Sequence, residues 1–377
     1  MAMERLFQLM KEKSASDLFF AVNAPVHLKI NGNLIPINQQ KLGQENIDSL
    51  LAEICTPAQL AELARDNELN MGISVPNLGR FRLSAFRQRG SISAVFRFVP
   101  GNIPPLAGLG LPLVLSELIM EKRGLMLIVG ATGSGKSTTI AAMLDHRNEL
   151  RSGHILTLED PIEYLFKNKR SIVNQREIGS DTVDFYTALR NSMRQAPDCI
   201  LIGEIRDRET MAAALAYAQS GHLVLATLHA NNSYNALNRI IGFYPIENRT
   251  SLLQDLASTV KAIVSQRLVR SINGGARTAA VEILVNTRHI ADLIEKGEIA
   301  QIKEAIETSL SPGSQSFELA LLQLVKDGQI SQEEALANAD SATNLLWLLN
   351  NGGSSKTAPA EPKPGAETTF TEFTLKT

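Results

Sequence analysis

Cysteine is nearly absent: the 377 residues include two, Cys55 and Cys199, far apart in the chain. That excludes a four-cysteine zinc site, offers no disulfide framework, and makes a reducing compartment the simplest setting. Long apolar runs are missing too. Nothing approaches the roughly 20 consecutive apolar residues that cross a bilayer, and the start of the chain is broken by Glu4, Arg5, Lys11, Glu12 and Lys13. No transmembrane segment, signal peptide or membrane anchor is expected. Neither sign of charge prevails: 37 Lys and Arg against 39 Asp and Glu leave a formal charge of −2. A globally basic nucleic-acid binder is excluded on that balance, although a local basic patch is not.

What is present fits a folded protein with a sizeable core, since 44% of residues are hydrophobic and 20% charged, close to soluble globular averages. The length corresponds to two or three domains of roughly 150 residues. Leu6, Phe7, Leu9 and Met10 follow helical spacing, predicting a short amphipathic helix docked on the protein itself. From about residue 18 to 100 short apolar runs alternate with turn signals. Asn31-Gly32 between Val26–Ile30 and Leu34–Ile37 reads as a hairpin, Gln44–Arg65 as helical, and Arg80–Phe86 and Ser91–Val99 as strands. This part reads as a small α+β domain. The stretch Pro100-Gly-Asn-Ile-Pro-Pro105, followed by Gly108, Gly110 and Pro112, has linker composition. The first unit is therefore set at 1–112.

A second unit, 113–350, opens with apolar runs at Leu125–Val129, Ile155–Leu158, Cys199–Gly203 and Leu223–Thr227, separated by helix-length segments. That alternation predicts an α/β unit with a mainly parallel sheet. Beyond about residue 245 the spacing of Leu256, Val260, Ile263, Val264 and Leu268 predicts a helical C-terminal part, and Ser331-Gln-Glu-Glu334 reads as a capping box. From Asn351 to Thr377 Gly, Ser, Pro, Ala and Thr accumulate, as in a flexible tail. Its alternating end, Thr369–Leu375, could dock as a strand.

The chemistry begins at Gly130, Ala131, Thr132, Gly133, Ser134, Gly135, Lys136 and Ser137, with Thr138 behind them. The segment satisfies the phosphate-binding P-loop pattern and stands between a strand-like run and helix formers. Glycines let backbone N–H groups turn inward around phosphates, Lys136 reaches the β- and γ-phosphates, and the Ser137 hydroxyl completes a Mg²⁺ shell. ATP and Mg²⁺ are the ligands this implies. Hydrolysis also needs a carboxylate near the metal and a group that orients water. Glu204 follows the buried run Cys199–Gly203, where a Walker-B acid stands, although Gly203 replaces the usual Asp; a simple ion pair with Arg206 or Arg208 is the alternative. Glu159, Asp160 and Glu163 fall on a turn stopped by Pro161, at the ligand side of an open sheet. His222 and His229 bracket one strand, so they cannot share a metal. His229 lies at the ligand end, where a γ-phosphate sensor and a structural histidine are equally compatible.

Five arginines (80, 82, 87, 89 and 97) and no acid occupy residues 80–97. Alternation places Phe81, Leu83 and Ala85 on one face with Arg80 and Arg82 on the other. A solvated sheet face and an arginine finger reaching ATP held by another domain or subunit are the two readings. Nucleic-acid binding is disfavoured, because no aromatic residues share the arginine face.

Together GATGSGKST, ILTLEDPIEY, CILIGEIRD and GHLVLATLHAN closely resemble the Walker A, Asp-box, Walker B and His-box sequences of secretion-type hexameric ATPases. Val173–Glu177 and Ser14-Ala-Ser-Asp17 are similar to those of the type IV pilus retraction ATPases, the PilT/PilU group. The resemblance implies a PAS-like α+β N-terminal domain, a RecA-like P-loop ATPase domain with a helical C-terminal subdomain, and a homo-hexamer binding ATP between domains. It implies Lys136 and Ser137 at phosphate and Mg²⁺, Glu163 as the water-activating base, and Glu204 near Mg²⁺. His222 and His229 become nucleotide-linked sensors and Arg82 and Arg97 finger candidates. It also implies a cytoplasmic location at the inner membrane, beside a platform protein and a PilT-like partner. The assembly and type II secretion branches carry a tetracysteine zinc module that two cysteines cannot build. A helix AIRNLIRE required for retraction corresponds here to His289-Ile-Ala-Asp-Leu-Ile-Glu-Lys296, with Ala291 and Glu295 in place of its arginines. That departure, and the chain's continuation past the expected PilT end, resemble the PilU branch. Two functions follow as expectations: an ATP-hydrolysing retraction subunit, or a nucleotide-binding scaffold with dispensable hydrolysis. An assembly ATPase is the remaining alternative.

Overall fold

A computed structural model describes residues 2–30, 32–99, 101–272, 274, 277–309 and 311–351. The tail expected over 351–377, including the strand-like 369–375, lies outside the described residues except for Asn351. Asn31, at the expected hairpin turn, is also outside them.

The first sheet has six antiparallel strands: β1 (Asp17–Phe20), β2 (Pro25–Ile30), β3 (Asn33–Lys41), β4 (Glu68–Val75), β5 (Gly79–Gln88) and β6 (Ser91–Val99), in the order β3-β2-β1-β6-β5-β4. Alternation decides its faces. Phe81, Leu83 and Ala85 of β5 are buried while Arg80 and Arg82 point away. The N-terminal helix Ala2–Glu12 covers the apolar face with Met3, Phe7 and Met10, and Phe7 stacks on Phe81 at a ring-centroid distance of 4.0 Å. The helical stretch read as one element is two, Gln44–Ala52 and Pro57–Asp66, because Thr56 caps a new helix that starts with Pro57.

The second sheet has seven strands: β7 (Gly124–Val129), β8 (Gly153–Glu159), β9 (Ser171–Glu177), β10 (Cys199–Ile202), β11 (Leu223–Leu228), β12 (Val260–Arg270) and β13 (Arg277–Val285). Their order is β13-β12-β7-β11-β10-β8-β9, with every pairing parallel except β12 to β13. Every residue of β7 and β10 is buried, as the strands of a sheet covered on both faces must be. Leu125, Leu127 and Val129 join one core with Ile200 and Val224, while Met126 and Ile128 join another with Leu201 and Leu225. The segment Val260–Arg270, expected to be helical, is a strand instead. It lies between β7 and β13 with both faces covered, so its apolar residues imitate a helical stripe without alternating. Helices resume at Arg288, and the last three, Phe317–Lys326, Gln332–Asn338 and Ala342–Asn350, pack on the projecting β12–β13 hairpin through Phe317, Leu321 and Val269. Ser331 caps the second of them, accepting from Glu334 N at 3.1 Å, but the Glu334 carboxylate turns to Arg270 N, so only half the capping box forms. Among the described residues no helix is long and apolar enough to cross a membrane.

Candidate nucleotide-binding and catalytic site

Parallel strands end together, and the carboxyl ends of β7, β8, β10 and β11 converge on one cleft that opens to solvent. Its floor is the loop Gly130–Gly135, in which three glycines take positive φ before the helix Lys136–Leu150 begins. The N–H groups of that first helical turn have no intrahelical acceptors, so they form an anion site in line with the helix dipole. Lys136 Nζ donates to the loop's own carbonyls, Gly130 O at 2.8 Å and Ala131 O at 2.9 Å. Burial pushes this ammonium below its ordinary value, partly offset by Glu204 and Glu163. A cation this desolvated and this close to a ring of N–H donors suits a polyphosphate. Thr138 Oγ1 lies 2.8 Å from Tyr164 OH, tying the helix to the loop after β8, and Thr139 Oγ1 donates to Gln266 Oε1 on β12 at 2.7 Å.

Glu204 follows β10 and is half-buried, with Oε2 accepting from Arg206 Nε at 2.7 Å and Oε1 lying 3.4 Å from His229 Nε2. The ion pair with Arg206 is thus present, and Glu204 still lines the cleft with Ser137. Gly203 has a steric reason. A Cβ there would lie 3.0 Å from Leu158 O and 3.3 Å from the Glu159 Cα, so the aspartate that often precedes a Walker-B acid would need the end of β8 to shift by a few tenths of an ångström. A hydroxyl and a carboxylate beside a phosphate cradle are hard oxygen donors, which fit Mg²⁺ with its preference for one or two carboxylates plus phosphate and water. Among the described residues there is no cluster of three or more His, Cys, Asp or Glu that could hold a metal by itself.

The three acids after β8 separate by environment. Glu159 is half-buried, accepts from Thr157 Oγ1 at 2.6 Å and Gln175 Nε2 at 3.2 Å, and desolvation pushes its carboxyl up. Asp160 is exposed, 3.8 Å from Arg206 Nη1. Glu163 is exposed and lines the cleft as Asp160 does, but stands 3.9 Å from Arg82 Nη2 of the first sheet. Arg82 is half-buried and burial pushes its guanidinium down. Arg97 stands opposite Arg82 across β5 and β6 but is held by the buried Asp17, Nε to Oδ1 at 2.8 Å.

The structure therefore brings Lys136, Ser137, Glu163, Glu204, His229 and Arg82 together, and Arg97 lies one strand further away. It does not bring His222. That ring is at the opposite end of β11, roughly 17–20 Å along the strand, bonded to Ser220 Oγ and Tyr217 O at 3.0 and 3.1 Å and edge-on to the Tyr217 ring. A direct sensing contact with nucleotide in this cleft is ruled out for it by that distance. Sequence reasoning missed Tyr164 and Gln266, and it placed Arg80 on the arginine face without its partner, the buried Glu177. No local pattern marks these, because each acquires its partner from a distant element.

The sequence profile described as "Type II/IV secretion system protein" matches residues 2–336. The chain is 46% identical to the type IV pilus ATPase PilU of Pseudomonas aeruginosa, over 94% of this chain and 93% of that protein. It is 38% identical to the type IV pilus retraction ATPase PilT of the same organism, over 92% of this chain and all of that one. A crystal structure of the pilus retraction motor PilT with bound ADP superposes with a TM-score of 0.85 at 36% identity, covering 91% of this chain and 99% of that one. The fold is accordingly a PAS-like α+β domain followed by a RecA-like P-loop ATPase domain with a helical C-terminal part, and the chain belongs to the type II/IV secretion ATPase family, within its PilT/PilU group of pilus retraction ATPases.

Proposed function

We propose that this chain hydrolyses ATP to support retraction of a type IV pilus, as one subunit of a homo-hexamer that works beside a PilT-like ATPase. The observation that carries the reading is the convergence of Lys136, Ser137, Glu163 and Glu204 on one cleft at the carboxyl ends of β7, β8 and β10. Loop N–H groups and Lys136 bind the β- and γ-phosphates, and Lys136 exchanges the Gly130 and Ala131 carbonyls for them. Ser137 and Glu204 would hold Mg²⁺, which when bound neutralises charge on the phosphate oxygens. Arg206 holds Glu204 until a cation competes for it. Glu163, exposed to the cleft, orients water and takes its proton. His229, beside Glu204, supplies a polar donor that reports on the γ-phosphate. Arg82 adds positive charge next to Glu163, and Arg97 supports it from β6.

A pilus ATPase of this kind would work in the cytoplasm, at an inner-membrane pilus platform. The accessory role draws on the helix Arg288–Lys296, which buries Ile290, Leu293 and Ile294 and exposes Asp292 and Glu295. Its exposed residues mix Arg288 and Lys296 with Asp292 and Glu295, and Ala291 and Glu295 stand where the retraction helix of PilT-like proteins carries arginine. Deletion in a piliated host is expected to leave excess unretracted pili, restored to normal by the wild-type gene and not by Glu163→Gln. Bald cells would indicate an assembly ATPase instead, and full rescue by Glu163→Gln would indicate a scaffold.

A further inference from the structure

We propose that Glu177 is a positioning residue: with Arg80 it forms a strut through which the first sheet sets the placement of the loop carrying Glu163. The inference rests on the reading of Glu163 as the water-activating base. Glu177 is the last residue of β9, paired with Glu159 across β8, and only 3% exposed. Its Oε2 accepts from the Ile162 backbone N–H at 3.0 Å and also forms the ion pair with Arg80 Nη2. Ile162 immediately precedes Glu163. Near the same loop, the Glu159 carboxylate accepts from Thr157 Oγ1 and from Gln175 Nε2, whose amide also donates to the Tyr164 carbonyl. One buried acid, Glu177, therefore holds the peptide group next to Glu163 and is itself anchored in the N-terminal domain.

The arginine side is built for reach. A Cβ on Gly72 of β4 would lie 2.7 Å from the Arg80 guanidinium carbon, so a side chain there would push Arg80 off the path it takes across β4 to Glu177. Gly72 stands opposite Arg82 in the β4–β5 register. Arg82, two residues beyond Arg80 and on the same face, points to Glu163 itself at 3.9 Å. One strand face thus grips the base directly through Arg82 and its supporting loop through Arg80 and Glu177. Displacement of a catalytic group by about 1 Å can lower a rate on the order of a hundredfold, so movement of β5 relative to β9 is enough to switch hydrolysis.

The test uses the purified full chain, measuring kcat and KM for ATP, fluorescent-ADP affinity and Tm for Arg80→Gln, Glu177→Gln, the double variant and Gly72→Ala. Each single change is expected to lower kcat about tenfold while KM and ADP affinity stay within about twofold, the split expected when an interaction acts only in the transition state. The double variant should lose no more than either single, as members of one unit do. Wild-type kcat in folded Arg80→Gln and Gly72→Ala, or losses that multiply in the double variant, would overturn the strut. Those two changes lie outside the ATPase domain and keep the test valid if Glu177→Gln does not fold. Glu163→Gln separates the two ideas: full turnover by it removes the base assignment. A dead Glu163→Gln beside fully active Arg80→Gln and Gly72→Ala removes the strut alone.

Discussion

Replacing Lys136 by methionine should separate nucleotide binding from folding. Lys136 is 9% exposed, and its ammonium is held at a desolvation penalty by two backbone carbonyls. Methionine keeps the volume and removes the buried charge, so the unliganded protein should melt within about 2 °C of wild type. The loss appears when nucleotide is added. Charge-assisted hydrogen bonds to two phosphates contribute roughly 1.5–3 kcal/mol each, so about 3 kcal/mol or more disappears, at least a hundredfold in affinity. At a concentration of a nonhydrolysable ATP analogue about 100 times the wild-type Kd, ligand binding stabilises the wild type by about 2.7 kcal/mol and the variant by about 0.4 kcal/mol. For an ATPase domain of this size that is a rise of about 5–10 °C in Tm against 1–2 °C. Thermal shift with and without the analogue and Mg²⁺ reads both numbers. Equal shifts in the two proteins would refute the placement of phosphate at Lys136.

Glu282 is buried and accepts from Ser233 N and Oγ and from Ser265 Oγ, yet burial raises its carboxyl above the ordinary 4.5. The stability that its protonated form contributes is fully present below the ordinary value and is lost as pH rises through the raised one. The wild-type Tm should therefore fall more between about pH 5 and pH 8 than that of Glu282→Gln, and parallel profiles would contradict this. Phe7 is 1% exposed and stacked on Phe81, so Phe7→Ala should destabilise the N-terminal domain by about 3–5 kcal/mol in urea denaturation. A loss under about 1 kcal/mol would mean that the first helix does not close this core.

The parts of the fold that were legible in the sequence are those whose burial is uniform or strictly alternating. β7 and β10 read as strands because parallel neighbours and helices cover both of their faces, and β5 reads as a strand because only one of its faces is buried. β9 escaped notice. Its SIVNQRE sequence occupies the sheet edge, where polar side chains are tolerated and only the register with β8 marks it as a strand. β12 was misassigned for the opposite reason, since apolar residues on both faces of a central strand recur at spacings a helix shares. In the site, the loop at Gly130–Lys136 and the strand-end acid Glu204 were visible because their chemistry is local, whereas Glu163 was one of three acids after β8 until the family resemblance singled it out. The Arg80–Glu177 pair joins residues 97 positions apart, and the separation of His222 from His229 follows from strand length and the direction in which the cleft opens. Neither is written in a local pattern.

The central claim, that this cleft hydrolyses ATP with Glu163 activating water, is tested most directly by phosphate release from purified wild type and Glu163→Gln, with analogue binding measured on the same samples. A general base contributes about 10²–10⁴ in rate, so Glu163→Gln should bind the analogue as wild type does while losing at least about a hundredfold in turnover. Wild-type turnover in a variant that still binds would contradict the account.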